Sequence, residues 1–263
     1  MAFRYWQDMT GPEIGALDGE RTVAVLPLCA TEQHGPHLPT GTDTMIAQGL
    51  SGEVAERFDG DFDLVFLPAL CIGASQEHGR FAGTISVSTP ALIDQISAIG
   101  AHVAASGLKK LVLVSSHGGN VAAMTAAALT CREQHGLLAV TLTWSRLGLP
   151  DGVVDADERA LGIHGGFVET SLMLHFRPDL VQMDKAADFA SLQSDLAGTY
   201  QHLRAHGPVG FGWLAGDLNP SGVVGNAASA HAAAGQAIAS HQIDAFIALA
   251  AEVSQFDLAN IAG

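Results

Sequence analysis

A chain of 263 residues with 48% hydrophobic and 15% charged residues can bury one sizeable core and is too apolar for disorder. Its 12 Lys and Arg against 27 Asp and Glu give a formal net charge of −15, which argues against nucleic acid or an anionic membrane as partner while leaving room for a cation site. Cys29, Cys71 and Cys131 are odd in number and far apart, so they read as small buried hydrophobes of a reducing compartment; with no signal-peptide pattern and no apolar run of membrane-spanning length, a cytoplasmic location is expected.

A turn-rich segment around Pro12 and Gly15 leads to a first strand over residues 22–28, whose lack of polar alternation predicts burial on both faces. The polar stretch that follows holds Glu32, His34, His37 and Asp43. Glu32 and His34 are two apart, so in extended backbone they point the same way. Gly35, Pro36, Pro39 and Gly41 turn the chain, which can bring Asp43 back to the same point. Residues 44–58 set Ile46, Leu50, Val54 and Phe58 on one helical stripe, with Asp43 available as a cap, and residues 64–70 form a second strand. The loop 72–86 carries Ser75, Glu77 and His78, which contact substrate or pin a glycine-rich loop.

Thr89 as N-cap with Pro90 in the first turn opens the next helix, and Gly107 closes it. A third strand over 111–114 runs into Ser115-Ser-His-Gly-Gly-Asn120, where the glycines permit close approach and Asn120 can orient a ligand. A helix over 121–134 and a fourth strand over 137–144 follow. Residues 151–159 read as an acidic exposed loop, Glu169 opens a helix that Pro178 ends, and 182–206 read as irregular, then helical. Residues 210–222 form a loop in which Trp213, Asp217 and Asn219 either rim a pocket or serve packing and turns, and 227–258 form one or two Ala-rich helices. Strands alternating with helices predict a single α/β domain with a mostly parallel sheet covered on both faces.

Glu32, His34 and Asp43 make a mixed oxygen and nitrogen site suited to Zn, Mn or Fe. Each further piece has an ordinary explanation: His117 as a core histidine in a tight turn, Glu169 as a first-turn acid favoured by the helix dipole. Together, Glu32, His34, Asp43, His117 and Glu169 are five ligand types from three segments. That is too many for one tetrahedral Zn and suits two ions sharing a carboxylate. Such ions stand about 3.5–4 Å apart and turn the water between them into a nucleophile near neutral pH. His164 is the nearest candidate by type to protonate a leaving nitrogen, and His37 to donate to a carboxylate ligand. Neither a GxSxG elbow nor a phosphate-binding glycine loop is present.

The stretches Thr31-Glu-Gln-His-Gly-Pro-His-Leu-Pro39 with Thr42-Asp43, Gly73-Ala-Ser-Gln-Glu-His78 with Phe81-Ala-Gly-Thr84, His117-Gly-Gly-Asn120 and His164-Gly-Gly-Phe-Val-Glu-Thr-Ser171 resemble the creatininase (creatinine amidohydrolase) family. The resemblance implies a three-layer α/β/α fold, a dinuclear centre of Zn or Mn/Zn, sometimes Fe, hydrolysis of a C–N amide bond in a small-molecule substrate, and a homo-oligomer, often a hexamer. By position it makes Glu32, His34, Asp43 and His117 metal ligands with Asp43 as the bridge, Glu169 the fifth ligand, Ser75 a substrate-contacting serine and His164 the catalytic histidine; His78 falls in the same substrate-side motif. Two departures weigh against creatinine itself. Creatininase proper has a metal-binding Glu where Gly119 stands, and a substrate-stacking Trp at the place of Ala160. The glycine-rich pieces look closer to the family's deformylases and to its peptidase that matures a redox peptide. A dinuclear amidohydrolase acting on a cyclic amide, formamide or peptide amide is therefore expected, the alternative being a metal-binding protein without catalysis.

Overall fold

The computed structural model describes residues 2–207 and 209–261. Five short strands, β1 (Phe3–Tyr5), β2 (Val23–Leu28), β3 (Leu64–Phe66), β4 (Lys110–Ser115) and β5 (Leu138–Thr143), pair in the order β1-β3-β2-β4-β5, every pair parallel. The helices are α1 (Gly11–Gly15), α2 (Thr42–Arg57), α3 (Thr89–Ala105), α4 (Val121–His135), α5 (Ala156–Leu161), α6 (Phe167–Phe176), α7 (Leu192–Thr199), α8 (Ala215–Leu218) and α9 (Ala232–Gln255). A small antiparallel pair, β6 (Asp188–Phe189) with β7 (Gly225–Asn226), lies apart from the main sheet.

Successive side chains of a strand point to opposite faces, and two hydrophobic layers follow from that. Val23, Val25, Leu64, Phe66, Val112 and Val114 pack with Leu50 of α2, Met173 of α6 and Phe246 of α9. Ala24, Leu26, Leu28, Leu111 and Leu113 pack with Ile96 of α3 and Met124 of α4. The result is the expected three-layer α/β/α domain. β2 is buried along its whole length, so its unbroken apolar run is what a strand covered on both faces requires. Pro27 is tolerated there because its missing N–H faces the β3 side just past Phe66, where β3 has ended; its carbonyl still accepts the Leu70 N–H at 3.0 Å.

Several local expectations need correction. β1 is an edge strand of three residues, too short to show a period. α3 is capped by Ser88, whose Oγ accepts the Ala91 N–H at 3.3 Å, one residue before Thr89. Asp43 lies inside the first turn of α2 instead of ahead of it, and Phe167, not Glu169, opens α6. Part of the supposed acidic loop is helix α5, because Asp155 accepts the Glu158 N–H at 2.7 Å and caps it. α9 is one helix of 24 residues. Cys29 and Cys131 are buried as expected, but Cys71 is exposed. Among the described residues no helix is long and apolar enough to cross a membrane.

Candidate metal centre

The chain leaves β2 for β3 on one side and later returns to β4 on the other, so a crevice opens beyond the carboxyl ends of β2 and β4. The loop after β2 is closed on itself: the Cys29 N–H donates to the Leu70 carbonyl at 2.8 Å and the Glu32 N–H to the Thr40 carbonyl at 3.0 Å. At its tip Gly35 has φ +69° and lies against Val223 so closely that a Cβ would overlap that side chain. The next residue, Val224, bridges to His164, the two exchanging N–H···O bonds of 2.8 and 3.2 Å. The His164 segment, which leads into α6, is thereby set against the loop after β2.

Glu32, His34, Asp43 and His117 are buried, and Glu169 is partly so. Ligand atoms of Glu32, Asp43 and His117 lie within 4.8 Å of one another, and so do those of His34, Asp43 and Glu169. A third such trio joins Glu32, His34 and His164. Asp43 is common to the first two. The backbone selects the ring nitrogen each imidazole presents. His34 Nδ1–H donates to the Glu32 carbonyl at 3.1 Å, which leaves Nε2 at 3.8 Å from Asp43 Oδ1 and 4.0 Å from Glu169 Oε2. His117 Nε2–H donates to the Ala74 carbonyl at 3.1 Å, and Nδ1 then lies 3.1 Å from Glu32 Oε1 and 3.8 Å from Asp43 Oδ2. Glu169 Oε2 accepts the Gly165 N–H, so this carboxylate serves its helix and faces the cluster at once.

The donor set fits divalent cations. Glu32 Oε1 and Oε2, His34 Nε2 and Asp43 Oδ2 are buried without a hydrogen-bond partner among the described residues, an arrangement that is costly unless something charged satisfies it. The charge balance agrees. Burial raises the Asp43 carboxyl well above its usual range, and Glu32 adds to that. Burial also raises Glu169. Burial works against the Glu32 carboxylate, yet the rings of His117, His164 and His34 hold it well below the usual range. Burial pulls the His117 imidazole down, but Glu32, Asp43 and Glu77 outweigh it and push it up to about 10. Burial and His164 lower His34 well below its usual value. Protons and cations thus compete for the same atoms.

The remaining candidates sit around this core. His164 Nδ1 is 3.6 Å and His78 Nε2 3.5 Å from Glu32 Oε1. The His164 ring stands between those of His34 and His78, at 4.2 Å from each. Burial, then His164, lowers His78 to about 3. Ser75 is fully buried, its Oγ 3.3 Å from His117 Nε2, the ring nitrogen turned away from Glu32. His37 does not meet a carboxylate as expected: its Nε2 is 3.1 Å from the Gly165 carbonyl and 2.9 Å from Thr170 Oγ1, and it braces the turn into α6. Asn120 accepts the Ala74 N–H at 2.9 Å and donates to the Cys29 carbonyl at 3.0 Å, tying backbone segments together where a ligand-orienting role was expected. Trp213 donates to the Ala205 carbonyl, Asp217 accepts the Leu214 N–H, and Asn219 serves a turn at Ser221. Trp213 and Asp217 also line an open groove with Gln76 and Glu77.

Of three further residues at the site, Glu77 and Gly119 stood in motifs already read, and Gln33 escaped that reading. Glu77 Oε1 lies 3.5 Å from His117 Nε2. A Cβ on Gly119 would fall inside contact distance of the Ala74 carbonyl and His117 Nε2, and 2.6 Å from Glu77 Oε1, so the Glu77 carboxylate occupies the space over this glycine. Gln33 is buried between two candidate ligands. Glu77 was marked by its place in the polar loop 72–86 and Gly119 by the glycine pair, whereas Gln33 carried no signal of its own.

The family profile described as creatinine amidohydrolase matches residues 7–250. The mycofactocin precursor peptide peptidase of Mycolicibacterium smegmatis is 34% identical over 224 residues, covering 84% of this chain and 81% of its own. Among solved structures, a mutant creatininase of Zn–Zn type superposes with a TM-score of 0.75 at 23% identity, and a manganese creatininase with a TM-score of 0.73 at 24% identity, each over 94% of this chain and 97% of the other. At those identities the structural likeness is one of fold. The profile match over nearly the whole length and the relative at 34% identity establish that the chain belongs to the creatininase (creatinine amidohydrolase) family.

Proposed function

We propose that this protein hydrolyses a C–N amide bond with two divalent cations, Zn first and Mn or Fe as alternatives, and that its substrate is a peptide-type amide. The observation that carries the metal reading is the pair of ligand trios sharing Asp43. Glu32 and His117 would hold one ion and His34 and Glu169 the other, with Asp43 available to both. Such a pair of cations, when bound, acidifies a water and polarises the carbonyl under attack. The protein's own groups do the rest. His164 gives its Nε2–H to the Gln33 carbonyl at 2.8 Å, so its Nδ1 faces the cluster and moves the proton from water to leaving nitrogen. Ser75 and His78 are the substrate contacts, Ser75 from beside the His117 ring.

The preference for a peptide-type amide over a cyclic amide of the creatinine kind rests on the likeness to the mycobacterial peptidase. It also rests on Gly119 and Ala160, which replace creatininase's Glu and Trp, and on the open groove beside Glu77. A cytoplasmic homo-oligomer, a hexamer by family, completes the reading. Metal analysis of the purified protein should find about two divalent ions per chain. Dipeptides, formamides and lactams should then be screened in parallel, with turnover expected on the first. Asp43→Asn should lose both metal and turnover; full activity in that variant ends the proposal. Bound metal without hydrolysis of any amide, and no effect of His164→Ala, would leave a metal-binding protein instead.

A further inference from the structure

Gln33 has no part in the reaction as described, yet its buried side chain has three hydrogen-bond contacts at the site. Backbone groups alone decide its amide orientation: the Gly35 N–H donates to Oε1 at 2.9 Å, and Nε2 donates to the Gly222 carbonyl at 2.9 Å. Nε2 has one hydrogen left, and it points at His78 Nδ1, 2.8 Å away. That nitrogen must accept, so a neutral His78 carries its proton on Nε2, the atom 3.5 Å from Glu32 Oε1. The backbone carbonyl of the same residue acts on His164. It takes the Nε2–H at 2.8 Å and leaves Nδ1 as a bare acceptor, 3.6 Å from Glu32 Oε1. Both imidazoles are therefore the same tautomer, turned end for end. Their rings lie 4.2 Å apart at 36°, and one shows the metal centre a hydrogen while the other shows it a lone pair.

We propose that Gln33 is a positioning residue that fixes this donor–acceptor pair, with His78 as the catalytic hydrogen-bond donor to the oxyanion and His164 as the proton carrier. The inference rests on the hydrolase reading above. Water oxygen forms a bond to the carbonyl carbon, and the carbonyl electron pair moves onto oxygen, which accepts the His78 Nε2–H bond without taking the proton. The proton lost by the water goes to His164 Nδ1. When the C–N bond breaks, that proton passes to the departing nitrogen, so the products are a carboxylic acid and an amine, which exchange the remaining proton with solvent. A neutral imidazole suits this role because it donates without adding a second positive charge against the His164 ring as that ring becomes protonated.

Two measurements test this on the zinc-loaded full chain. With 15N-labelled histidine, long-range 1H–15N spectra should show bare Nδ1 and protonated Nε2 on both His78 and His164. In Gln33→Met a population with Nδ1–H should appear at His78 but not at His164, whose partner is a backbone carbonyl. A proton on Nδ1 of His78 in the unaltered protein overturns the inference. For turnover of the dipeptide that the screen identifies, His78→Phe should lower kcat about 10²–10³-fold with little change in KM or metal content. His78→Gln keeps an N–H donor and should recover part of that loss; equal losses in both variants overturn the donor role. The nitrogen spectra decide the wiring whether or not any amide is cleaved, so failure of the hydrolase reading and failure of this one are distinguishable.

Discussion

Replacing Gly119 by Ala tests whether the packing over His117 holds the metal centre together. The new Cβ would sit 2.6 Å from Glu77 Oε1 and closer still to the Ala74 carbonyl and His117 Nε2. Ordinary contacts of this kind lie near ~3.5 Å, so all three groups must part from the new methyl by roughly an ångström. Glu77 is a side chain and can move. The Ala74 carbonyl cannot yield easily, because its own N–H is held by Asn120 at 2.9 Å. The backbone at 119 must therefore back away from that carbonyl and the His117 ring from the methyl, and the 3.1 Å bond between ring and Ala74 carbonyl is lost. Overpacking costs about 1–3 kcal/mol and a broken buried hydrogen bond about 1 kcal/mol more. Loss of the outer partner of a ligand histidine lowers metal affinity about 10–100-fold. Urea unfolding of the chelated protein and zinc retention at a fixed free-zinc level would read the two effects separately. Gly118→Ala is the internal control, since a Cβ there meets nothing within 4 Å. Equal behaviour of the two variants would refute the reasoning.

Taken alone, the three shifted histidines would make the metal-free protein most stable near pH 6.5, their ordinary value, and the raised Asp43 and Glu169 carboxyls draw that maximum toward lower pH. His117, raised to about 10, contributes stability that is full below about 6.5 and lost as pH rises through 10. His78, lowered to about 3, and His34, also lowered, contribute stability present above 6.5 and lost as pH falls. Thermal melting across pH 4–10 in a chelator should give a maximum, and a curve rising steadily to alkaline pH would contradict this; zinc should remove the alkaline decline by displacing the proton from His117. Asn120→Ala leaves the buried Ala74 N–H and Cys29 carbonyl without their partner and should cost about 2–5 kcal/mol in urea unfolding; a loss below about 1 kcal/mol would mean the staple is dispensable.

The parts of the fold that the sequence made legible are those with a long, pure period. β2 reads as a buried strand because its apolar run is unbroken by polar residues, and all six of its positions are indeed buried; α2 reads as a helix because Ile46, Leu50 and Val54 recur on one stripe. β1 did not, because three edge residues paired to Leu64–Phe66 have no period to show. α5 was hidden by its charge: Asp155 looks like loop chemistry until its carboxylate is seen holding the Glu158 N–H. At the site, residue types and spacing singled out the atoms that cluster, because ligand chemistry is restricted to a few side chains. The wiring behind them was not legible. The Gln33 bond to Gly222 spans 189 residues, and the role of His37 depends on the Gly165 carbonyl, 128 residues away. A hydrogen bond of that range leaves no local pattern.

The order of dependence at the site runs opposite to the order of the chain. Residues 222–224 contain no candidate ligand, yet each of the three fixes a different part of the centre. The Gly222 carbonyl orients Gln33. The Val223 side chain fills the space against Gly35 at the turn that separates His34 from His37. Val224 pairs with His164 and thereby places the segment that carries Glu169. The loop after β2 and the start of α6 also meet directly, through His164 on the Gln33 carbonyl and His37 on the Gly165 carbonyl and Thr170, and this three-residue segment packs against both sides of that junction. The trio of His34, Asp43 and Glu169 draws two members from the β2 side of that junction and one from α6, whereas Glu32, Asp43 and His117 come from the loop after β2, the first turn of α2 and the end of β4. If two cations bind as proposed, a perturbation of the 222–224 segment should loosen one at His34 and Glu169 before one at Glu32 and His117, which a zinc titration would read as the loss of one binding step. The two candidate trios are unequal in origin although they share Asp43: one is anchored at the ends of the sheet strands, and the other depends on packing between the loop after β2, α6 and the 222–224 segment.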